Sequence, residues 1–449
     1  MSRPPSTGRS DPPADVHDDH SLRRVPPQDK VSWVTVAIQR FGQVSALHQF
    51  MLGAALGLGM TFWDAFIAIT LGSVMLEVVT ILMGVAGMRE GVSTSVLARW
   101  AGFGNRGSAL VGLLVTISLA GWFGVQNGLF ARGLSGLVDG PPQWLWALIG
   151  GVGVTAIVVF GFRFMAWTAY LTVPAFLLLA GWAIVSQLRD HSVGELVSSP
   201  APGPTMSIAE GTTLVAGAFI MGAVMTPDMT RFNRSVSDVV KQTVISVTLG
   251  EYLIGLTGVV LAHVARSADV TVMITSTSGT LGALVLVAAI VKINDWNLYS
   301  ASLGLVNAVH VLTGRTVTRT HAALILGGAG TVLSAIGILE HFTTFLTWIG
   351  VITPPVAGIV IAEYFVVRTW RGQLADSLRR GELPADPPDW LPLSLVCWAV
   401  GTAVGAGVSV GIPTINSVVV AFVLYAGLGR LRSGRRSRAA APEPETVAG

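Results

Sequence analysis

Lys292, Asn294 and Asp295 lie in the middle of a long apolar run that extends over residues 279–312. An ammonium or carboxylate group is costly within lipid hydrocarbon, so such groups persist where they face a partner charge, a water-filled cavity or a substrate. Lys292 and Asp295 are three residues apart and share one helix face, which is compatible with a structural ion pair. A role in substrate or ion handling is the other interpretation, and the sequence alone leaves both open.

A second group of side chains suited to ligand binding occurs in the segment LAGWFGVQNGLF. Trp122 and Gln126 are four residues apart, so an aromatic ring and an amide lie one above the other on the same helix face. Such a pair can stack on a flat ligand and read the hydrogen-bonding groups at its edge. Phe219, in another apolar segment, is a candidate second wall. Aromatic residues inside helical bundles usually serve packing, so this pair needs further support.

The elements that position these residues are membrane-spanning helices. The chain has 449 residues, of which 51% are hydrophobic and 12% charged, whereas soluble proteins carry roughly 25% charged residues. Apolar runs of about 20 residues, long enough to cross a bilayer as a helix, recur along nearly the whole chain. They predict an all-α polytopic membrane protein with about twelve spans, near residues 34–60, 63–87, 108–137, 144–162, 164–187, 209–226, 239–264, 280–312, 322–339, 342–367, 391–411 and 415–430.

The positions of arginine and lysine predict the orientation of these spans. With a cytoplasmic N-terminus and an even number of spans, the outer loops hold only Arg189 and Arg266. Nearly all other basic residues then fall on the cytoplasmic side. The sequence therefore predicts a multi-pass protein of the cytoplasmic membrane with both termini in the cytoplasm.

Missing motifs exclude several function classes. The one cysteine, Cys397, provides neither a disulfide framework nor a Cys/His metal cluster. The chain has no GxxxxGK[ST] loop, no HExxH and no CxxC motif, and no soluble segment long enough for a catalytic domain, so neither an enzyme nor a cofactor is expected. The basic residues are dispersed between apolar runs and do not indicate nucleic-acid binding. A secondary transporter is favoured over a channel or a non-transporting sensor.

Two spans have the pattern of interrupted helices. In the first, Gly42 lies between polar residues, and in the sixth, Gly217 and Gly222 bracket residues 218–221. Spans one and six are five apart, as an inverted repeat of five plus five helices requires. Arg40, next to the first interruption, lies within the membrane, and Glu77 or Glu251 is its candidate partner; the sequence does not choose between them.

The predicted spans divide the chain into five regions. Residues 1–30 predict a disordered cytoplasmic tail with no cleavable signal peptide. Residues 31–367 predict a ten-helix transport core, 368–390 a cytoplasmic loop, 391–430 two additional helices, and 431–449 a basic cytoplasmic tail.

Four stretches together carry a family resemblance. They are GWFGVQNGLFA (121–131), GAFIMGAVMTPDMTRFNRS (217–235), INDWNLYSASLGLVNAV (293–309) and PPVAGIVIAEYFV (354–366). In this order and spacing they resemble the cytosine permease branch of the nucleobase:cation symporter-1 family. The resemblance implies twelve helices, ten of them in an inverted repeat of the LeuT type with broken helices 1 and 6.

The resemblance also implies roles for individual residues. It implies that Trp122 and Phe219 sandwich a planar base and that Asn294 forms a hydrogen bond with it. It further implies that Gly42 lies in the unwound part of span one and that Gln126 contacts the ligand, as in hydantoin-type members.

The chain departs from the family pattern on the sixth span. Ala218 and Met221 stand where cytosine-type members carry serines, so two polar contacts to the ring are lost. The ligand is therefore not necessarily cytosine. The residues that can replace these contacts are Gln126, Asn127, Gln39 and Gln43.

A second departure concerns ion coupling. Sodium-coupled members offer small hydroxyl residues in span eight, where this chain has Lys292 and Ile293. An ammonium group cannot coordinate Na⁺, but it can occupy the position of the cation electrostatically. The hypothesis is that Lys292 replaces the sodium ion and, if it titrates, makes transport proton-coupled or uncoupled. Burial favours the neutral amine and a nearby Asp295 opposes it, so the coupling ion, H⁺ or Na⁺, stays open.

The predicted function is a secondary active transporter that imports a nucleobase, cytosine-like or purine, by alternating access. The alternatives are import of a hydantoin, allantoin or thiamine-precursor pyrimidine, or a sensor that does not transport. The expected partners are the small heterocycle and the lipid bilayer, with the monomer as the functional unit.

Overall fold

The structure is a computed structural model that describes residues 20–44, 47–135, 138, 140–168, 192–268, 270–341, 348–408 and 410–439, with positions 170, 174, 178, 182 and 185. The helices of these residues are α1 Trp33–Val44, α2 Leu47–Gly59, α3 Phe62–Glu90, α4 Thr94–Leu97, α5 Asn105–Ser135, α6 Gln143–Val159, α7 Val193–Ser198, α8 Ile208–Val224, α9 Pro227–Thr230, α10 Val236–Ala265, α11 Val270–Thr313, α12 Arg319–Ala335, α13 Trp348–Val367, α14 Arg371–Arg380, α15 Pro392–Gly407 and α16 Pro413–Ala439. Short π-helical and 3₁₀ segments complete the regular structure of this part of the chain. The prediction of an all-helical protein is confirmed.

The long apolar helices account for the membrane-spanning character. Over the part of the chain that the structure describes, five helices are long and apolar enough to cross a bilayer, namely α3, α5, α10, α13 and the Pro413–Arg432 part of α16. Shorter apolar helices stand beside them, among them α6, α8 and α15. Most of the predicted fifth span, 164–187, and the start of the tenth, 342–347, lie outside the described residues.

Polar residues determine where several helices begin and end. Thr61 precedes α3, and its side chain accepts a hydrogen bond of 3.2 Å from the backbone N–H of Asp64. Gly91 follows α3 in the left-handed conformation, with a φ of 63°, which glycine adopts without strain. Before α8, Ser207 and Glu210 form a reciprocal capping box.

The predicted glycines lie inside helices. Gly42 lies inside α1, which is helical up to Val44, and α2 begins at Leu47; residues 45–46 lie outside the described part. Gly217 and Gly222 both lie inside α8, which ends at Val224 and is followed by a turn at 225–226. The predicted interruptions at these glycines were therefore wrong. A glycine in a helix interior costs only about 1 kcal/mol, so glycine placement alone does not break a helix.

A close approach of two backbones holds α5 against α11. A Cβ atom added to Gly304 would lie 2.5 Å from the carbonyl oxygen of Gly112, so the two backbones touch where neither residue has a side chain. Thr116 of α5 donates a hydrogen bond of 3.0 Å to the carbonyl oxygen of Ala301 in α11. This contact fixes the rotation of both helices and thereby the side chains that they present to each other.

The segments predicted as tails and loops contain more structure than expected. Residues 20–30, predicted as part of a disordered tail, pack on the protein, since Arg24 is buried, with Nη1 2.9 Å from Glu90 Oε2 and Nη2 2.9 Å from Ser377 Oγ. Ser377 belongs to α14, a helix inside the predicted loop 368–390. Helix α16 extends to Ala439, beyond the predicted boundary at 430. Residues 1–19 and 440–449 lie outside the described part.

Candidate functional site

A small cavity lined mostly by buried side chains lies where α1, α5, α8 and α11 meet. The residues that line it are Gln43 of α1; Leu119, Trp122 and Gln126 of α5; Ala218, Phe219, Met221, Gly222 and Met225 of α8 and the following turn; and Ile293, Trp296 and Asn297 of α11. Its volume is about 40 Å³, which is room for a few water molecules. Small-molecule sites typically measure roughly 300–1,000 Å³, so a heterocycle needs a wider form of this cavity.

The two predicted aromatic walls both line the cavity, one from α5 and one from α8. Trp122 projects from the middle of α5, and Phe219 from α8 is only 4% exposed. A Cβ atom at Gly222 would lie 2.6 Å from the Phe219 ring, so the ring lies over the bare backbone of its own helix. Trp296 of α11 is a third aromatic residue at the cavity, and its ring stacks on Tyr299 at a centroid distance of 5.7 Å.

Amide side chains supply the polar part of the lining. Gln43 and Gln126 are both buried, at 4% and 5% exposed, and the Oε1 atom of Gln43 has no hydrogen-bond partner among the residues described. Asn297 is the third amide at the cavity. Buried polar groups are generally satisfied, so an unpartnered amide oxygen at a cavity is suited to accept a hydrogen bond from a ligand.

The structure separates the roles of two asparagines of α11. Asn294 does not line the cavity; its Nδ2 atom lies 3.3 Å from the carbonyl oxygen of Phe123. Its Oδ1 atom accepts a hydrogen bond of 3.2 Å from Nδ2 of Asn297, which does line the cavity. Asn297 was missed by sequence reasoning, although its position one helical turn after Asn294 was a usable signal.

Lys292 and Asp295 form a buried ion pair behind the cavity. Lys292 Nζ lies 2.6 Å from Asp295 Oδ2, with the side chains 3% and 1% exposed. The ammonium group also donates a hydrogen bond of 2.8 Å to the carbonyl oxygen of Met165. Neither residue lines the cavity. The bond to Met165 ties Lys292 to the segment 162–168, so the ammonium group has two acceptors.

Other polar candidates lie away from the cavity lining. Gly42 and Asn127 do not line it, and Asn127 donates a hydrogen bond of 2.7 Å to the carbonyl oxygen of Ala147. Gln39 is buried without a hydrogen-bond partner for its amide in the described part of the chain. Of the predicted replacements for the missing serines, the cavity therefore contains Gln43 and Gln126.

Arg40 does not pair with either predicted partner among the ion pairs of the described residues. Its Nε atom donates a hydrogen bond of 3.0 Å to Gln242 Oε1 in α10. Glu77 instead accepts a hydrogen bond of 2.9 Å from Thr248, and Glu251 accepts one from Gln49 of α2. These contacts join both parts of the first span to α10.

Comparison with known proteins agrees with this architecture. Residues 27–428 match a family described as permeases for cytosine/purines, uracil, thiamine and allantoin. The chain is 29% identical to the cytosine permease of Escherichia coli strain K12 over 317 residues, which cover 70% of this chain and 74% of that protein. It is 23% identical to the hydantoin permease of Microbacterium maritypicum over 373 residues, covering 77% and 74% of the two chains.

Solved structures show the same fold. The closed conformation of Mhp1, a nucleobase-cation-symport-1 family transporter with bromovinylhydantoin bound, matches with a TM-score of 0.77 at 20% identity and covers 94% of this chain and 96% of that one. A substrate-bound, outward-open Na⁺-coupled sialic acid symporter matches with a TM-score of 0.68 at 13% identity, covering 96% and 94%.

The described residues form an all-helical membrane bundle, and an aromatic and amide-lined cavity lies at the junction of its helices. This is the architecture of a membrane transporter and not of an enzyme. The family match extends over most of the chain. This protein therefore belongs to the nucleobase:cation symporter-1 family of permeases.

Proposed function

We propose that this protein is a secondary active transporter that imports a nucleobase or another planar heterocycle, and that the cavity between α1, α5, α8 and α11 is its substrate site. The observation that carries the proposal is the convergence of aromatic side chains, Trp122 and Phe219, with the amides of Gln43, Gln126 and Asn297 on one buried cavity. Aromatic faces bind a flat ring by stacking, and amides supply both donors and acceptors to its edge.

The distribution of polar groups constrains how a ring lies in the site. The amides come from α1, α5 and α11, whereas α8 contributes only apolar side chains such as Ala218 and Met221. A ring bound here directs its hydrogen-bonding edge away from α8. This arrangement suits a heterocycle with donors and acceptors on one side, and it replaces the two serine contacts that the chain lacks.

The small size of the cavity supports transport by alternating access. A site of about 40 Å³ does not admit a heterocycle, so binding and release require the surrounding helices to separate. Transporters of this architecture move one helix bundle against another around a fixed midplane site.

We further propose that transport does not require sodium. Lys292 stands where sodium-coupled relatives of this family offer hydroxyl groups, and its ammonium group is held by Asp295 and by the carbonyl oxygen of Met165. Two acceptors within hydrogen-bonding distance stabilise the charged form. An ammonium group held in this way fills the role of the bound cation without exchanging with the solution.

The contacts on one face of the protein support the proposed orientation. Arg24, Glu90 and Ser377 all belong to segments that the distribution of basic residues assigns to the cytoplasm, and their side chains meet. The N-terminal segment and the loop before α15 therefore lie on the same side, as an even number of spans requires. We place both termini in the cytoplasm and take the monomer, which contains the whole cavity, as the transporting unit.

The experiment that tests the function is uptake of labelled heterocycles by cells that lack their own permease and express this chain. Cytosine, uracil, hypoxanthine and hydantoin are compared in sodium-containing and sodium-free buffer, with Trp122→Ala as the matched binding-site variant. Saturable uptake of one compound, competed by its unlabelled form and reduced in the variant, supports the proposal. Binding to the purified protein without uptake in reconstituted vesicles indicates a sensor instead.

A hydantoin is the second candidate substrate. Gln126 lines the cavity at a position where hydantoin-type members of the family carry a ligand-binding glutamine, and the Microbacterium maritypicum relative is a hydantoin permease. Greater uptake of hydantoin than of cytosine at equal concentration would support this candidate.

A further inference from the structure

Glu251 is a carboxyl group buried at the middle of a membrane-spanning helix. It is 0% exposed and lies roughly midway along α10, inside the π-helical segment Gly250–Gly255. Such segments within α-helices are often found at functional sites, because the extra residue turns side chains out of the regular pattern. The cavity described above does not include Glu251, so its burial needs a separate explanation.

The hydrogen bond between Gln49 and Glu251 leaves one side-chain oxygen atom of each residue without a partner among the described residues. Nε2 of Gln49, near the start of α2, donates to Oε2 of Glu251. The Oε1 atoms of both residues are buried, and neither has a partner in the part of the chain that the structure describes. Leaving a buried acceptor unsatisfied costs about 1–3 kcal/mol. A single proton on Glu251 Oε1 turns that atom into a donor and can satisfy both, since an acid and an amide can exchange two hydrogen bonds.

Among the described residues, no cation pairs with a negative charge at this position. The ion pairs of the described residues do not include Glu251, and Glu77 of α3 lies near enough to repel a carboxylate there. Arg40 of α1 is bonded to Gln242, nine residues earlier, which is roughly 13 Å along the helix. The other titratable groups on the packed helices are His263, bonded to the carbonyl oxygen of Met60; Tyr252, bonded to Thr70; the half-buried Asp238 and the exposed Lys241 at the start of α10; Asp64, Arg89 and Glu90 at the two ends of α3; and His48, whose side chain lies outside the described part.

The pair joins α10 to α2, the second described part of the first span. Arg40 of α1 bonds to Gln242, and Gln49 of α2 bonds to Glu251, so α10 runs alongside both parts of that span. The contact between α2 and α10 is close, because a Cβ atom at Gly53 would lie 2.0 Å from the carbonyl oxygen of Gly255. A change in the bond between Gln49 and Glu251 therefore acts directly on α2, the outer part of the predicted first span.

We propose that Glu251 and Gln49 form a proton-binding site that couples transport to the proton gradient. This inference rests on the proposed transport function and supplies the coupling ion that the fixed charge of Lys292 does not. A hydronium ion from the outer solution transfers its proton to Glu251 Oε1, leaving water, and the acid donates to Gln49 as the helices close. After the change of access, the O–H bond breaks and the proton passes to water on the cytoplasmic side, which restores the carboxylate.

The test uses purified full-length protein in sodium-free vesicles that contain a pH-sensitive dye, with whichever labelled heterocycle the uptake experiment identifies. In the wild type, adding substrate outside should acidify the vesicle interior, and an inward proton gradient should concentrate the substrate. Glu251→Gln, which imitates the protonated acid, should abolish both effects while retaining exchange of labelled for unlabelled substrate. Glu77→Gln is the matched control, because it removes a neighbouring acid, and it should keep proton movement.

The outcomes separate this inference from the function on which it rests. Absence of exchange in the wild type counts against the transport function itself. Exchange in the wild type without proton movement overturns the proton site and leaves the transport function intact, as does proton movement that persists in Glu251→Gln.

A measurement on the wild type tests the proposal even if the Glu251→Gln variant does not fold. A membrane-soluble carbodiimide reacts with protonated carboxyl groups, so it should modify Glu251, and labelling should decrease as the pH rises. Peptide mapping that finds Glu77 modified and Glu251 unmodified at every pH overturns the proposal.

Discussion

Nδ2 of Asn297 donates a hydrogen bond of 3.2 Å to Oδ1 of Asn294, and the two asparagines have different positions relative to the cavity. Asn297 lines the cavity, whereas Asn294 lies behind it and reaches the backbone of α5 at Phe123. The bond orients the Asn297 amide, because one of its donors is occupied by Asn294. The second donor and the oxygen of Asn297 then remain available to a ligand.

Replacing Asn297 by alanine should weaken substrate binding. Loss of a hydrogen bond to a ligand held in a buried site costs about 1–3 kcal/mol, which corresponds to roughly a 5- to 150-fold increase in Kd. Isothermal titration of the purified protein measures this change. Asn294→Ala should have a smaller effect on Kd, since it only releases the orientation of Asn297, and a larger effect for Asn294 than for Asn297 would contradict the assignment.

Removing the aromatic ring of Trp122 should weaken binding without preventing membrane insertion. Stacking of a base on an aromatic side chain contributes about 1–3 kcal/mol, so Trp122→Ala should raise Kd roughly 5- to 150-fold. Trp122→Phe retains a ring and should recover most of the affinity. Wild-type affinity in the alanine variant would remove Trp122 from the substrate site.

Gly222→Ala should disturb binding through Phe219. The added Cβ atom would lie 2.6 Å from the Phe219 ring and must displace it from the cavity wall. We expect a higher Kd for substrate with the protein still folded. Gly217→Ala is the matched control on the same helix, because the nearest atom to its added Cβ is Thr414 Oγ1 at 3.8 Å. Equal effects of the two substitutions would mean that the helix, and not the ring position, is responsible.

Lys292→Thr should make transport respond to sodium. The substitution removes the ammonium group, introduces a hydroxyl ligand, and leaves the carboxylate of Asp295 without its partner, so a cation is needed nearby. Uptake in the presence and absence of sodium measures the response. Lys292→Met removes the charge without adding a ligand and is the control. If the threonine variant inserts, transports and ignores sodium, Lys292 does not substitute for the ion.

The buried carboxyl group of Asp228, in the short helix α9 between α8 and α10, should make the stability of the protein depend on pH. It is 1% exposed, and Oδ1 accepts a hydrogen bond of 2.7 Å from the backbone N–H of Thr94. Burial raises the pKa of its carboxyl group, although the bond from Thr94 and the charge of Arg231 act in the opposite direction. The folded protein therefore holds this proton more tightly than the unfolded chain does, and the resulting stability is present at low pH and lost as the pH rises through the folded-state pKa.

Asp228→Asn removes this titration and keeps an acceptor for Thr94. The difference in Tm, variant minus wild type, should therefore be more positive at pH 8 than at pH 4.5. Thermal unfolding in detergent measures it. Asp376→Asn, on the surface of α14, is the control and should leave the difference unchanged. A variant whose Tm differs from that of the wild type by the same amount at both pH values would contradict the assignment.

The sequence by itself determined the features that depend on local periodicity. Long apolar runs predicted an all-helical membrane protein, because a backbone in lipid must satisfy its hydrogen bonds within a helix. The spacing of Trp122 and Gln126 placed both on one helix face, and both line the cavity. The spacing of Lys292 and Asp295 allowed an ion pair, and the structure contains it.

Only the tertiary structure decided the features that depend on how one helix is rotated against another. The contact of Gly112 with Gly304 sets the rotation of α11, and that rotation turns Asn297 to the cavity and Asn294 behind it. The end of α8 at Val224 does not follow from the placement of Gly217 and Gly222, because a packed helix tolerates glycine. The bond between Gln49 and Glu251 joins residues 202 positions apart, so no local pattern could reveal it.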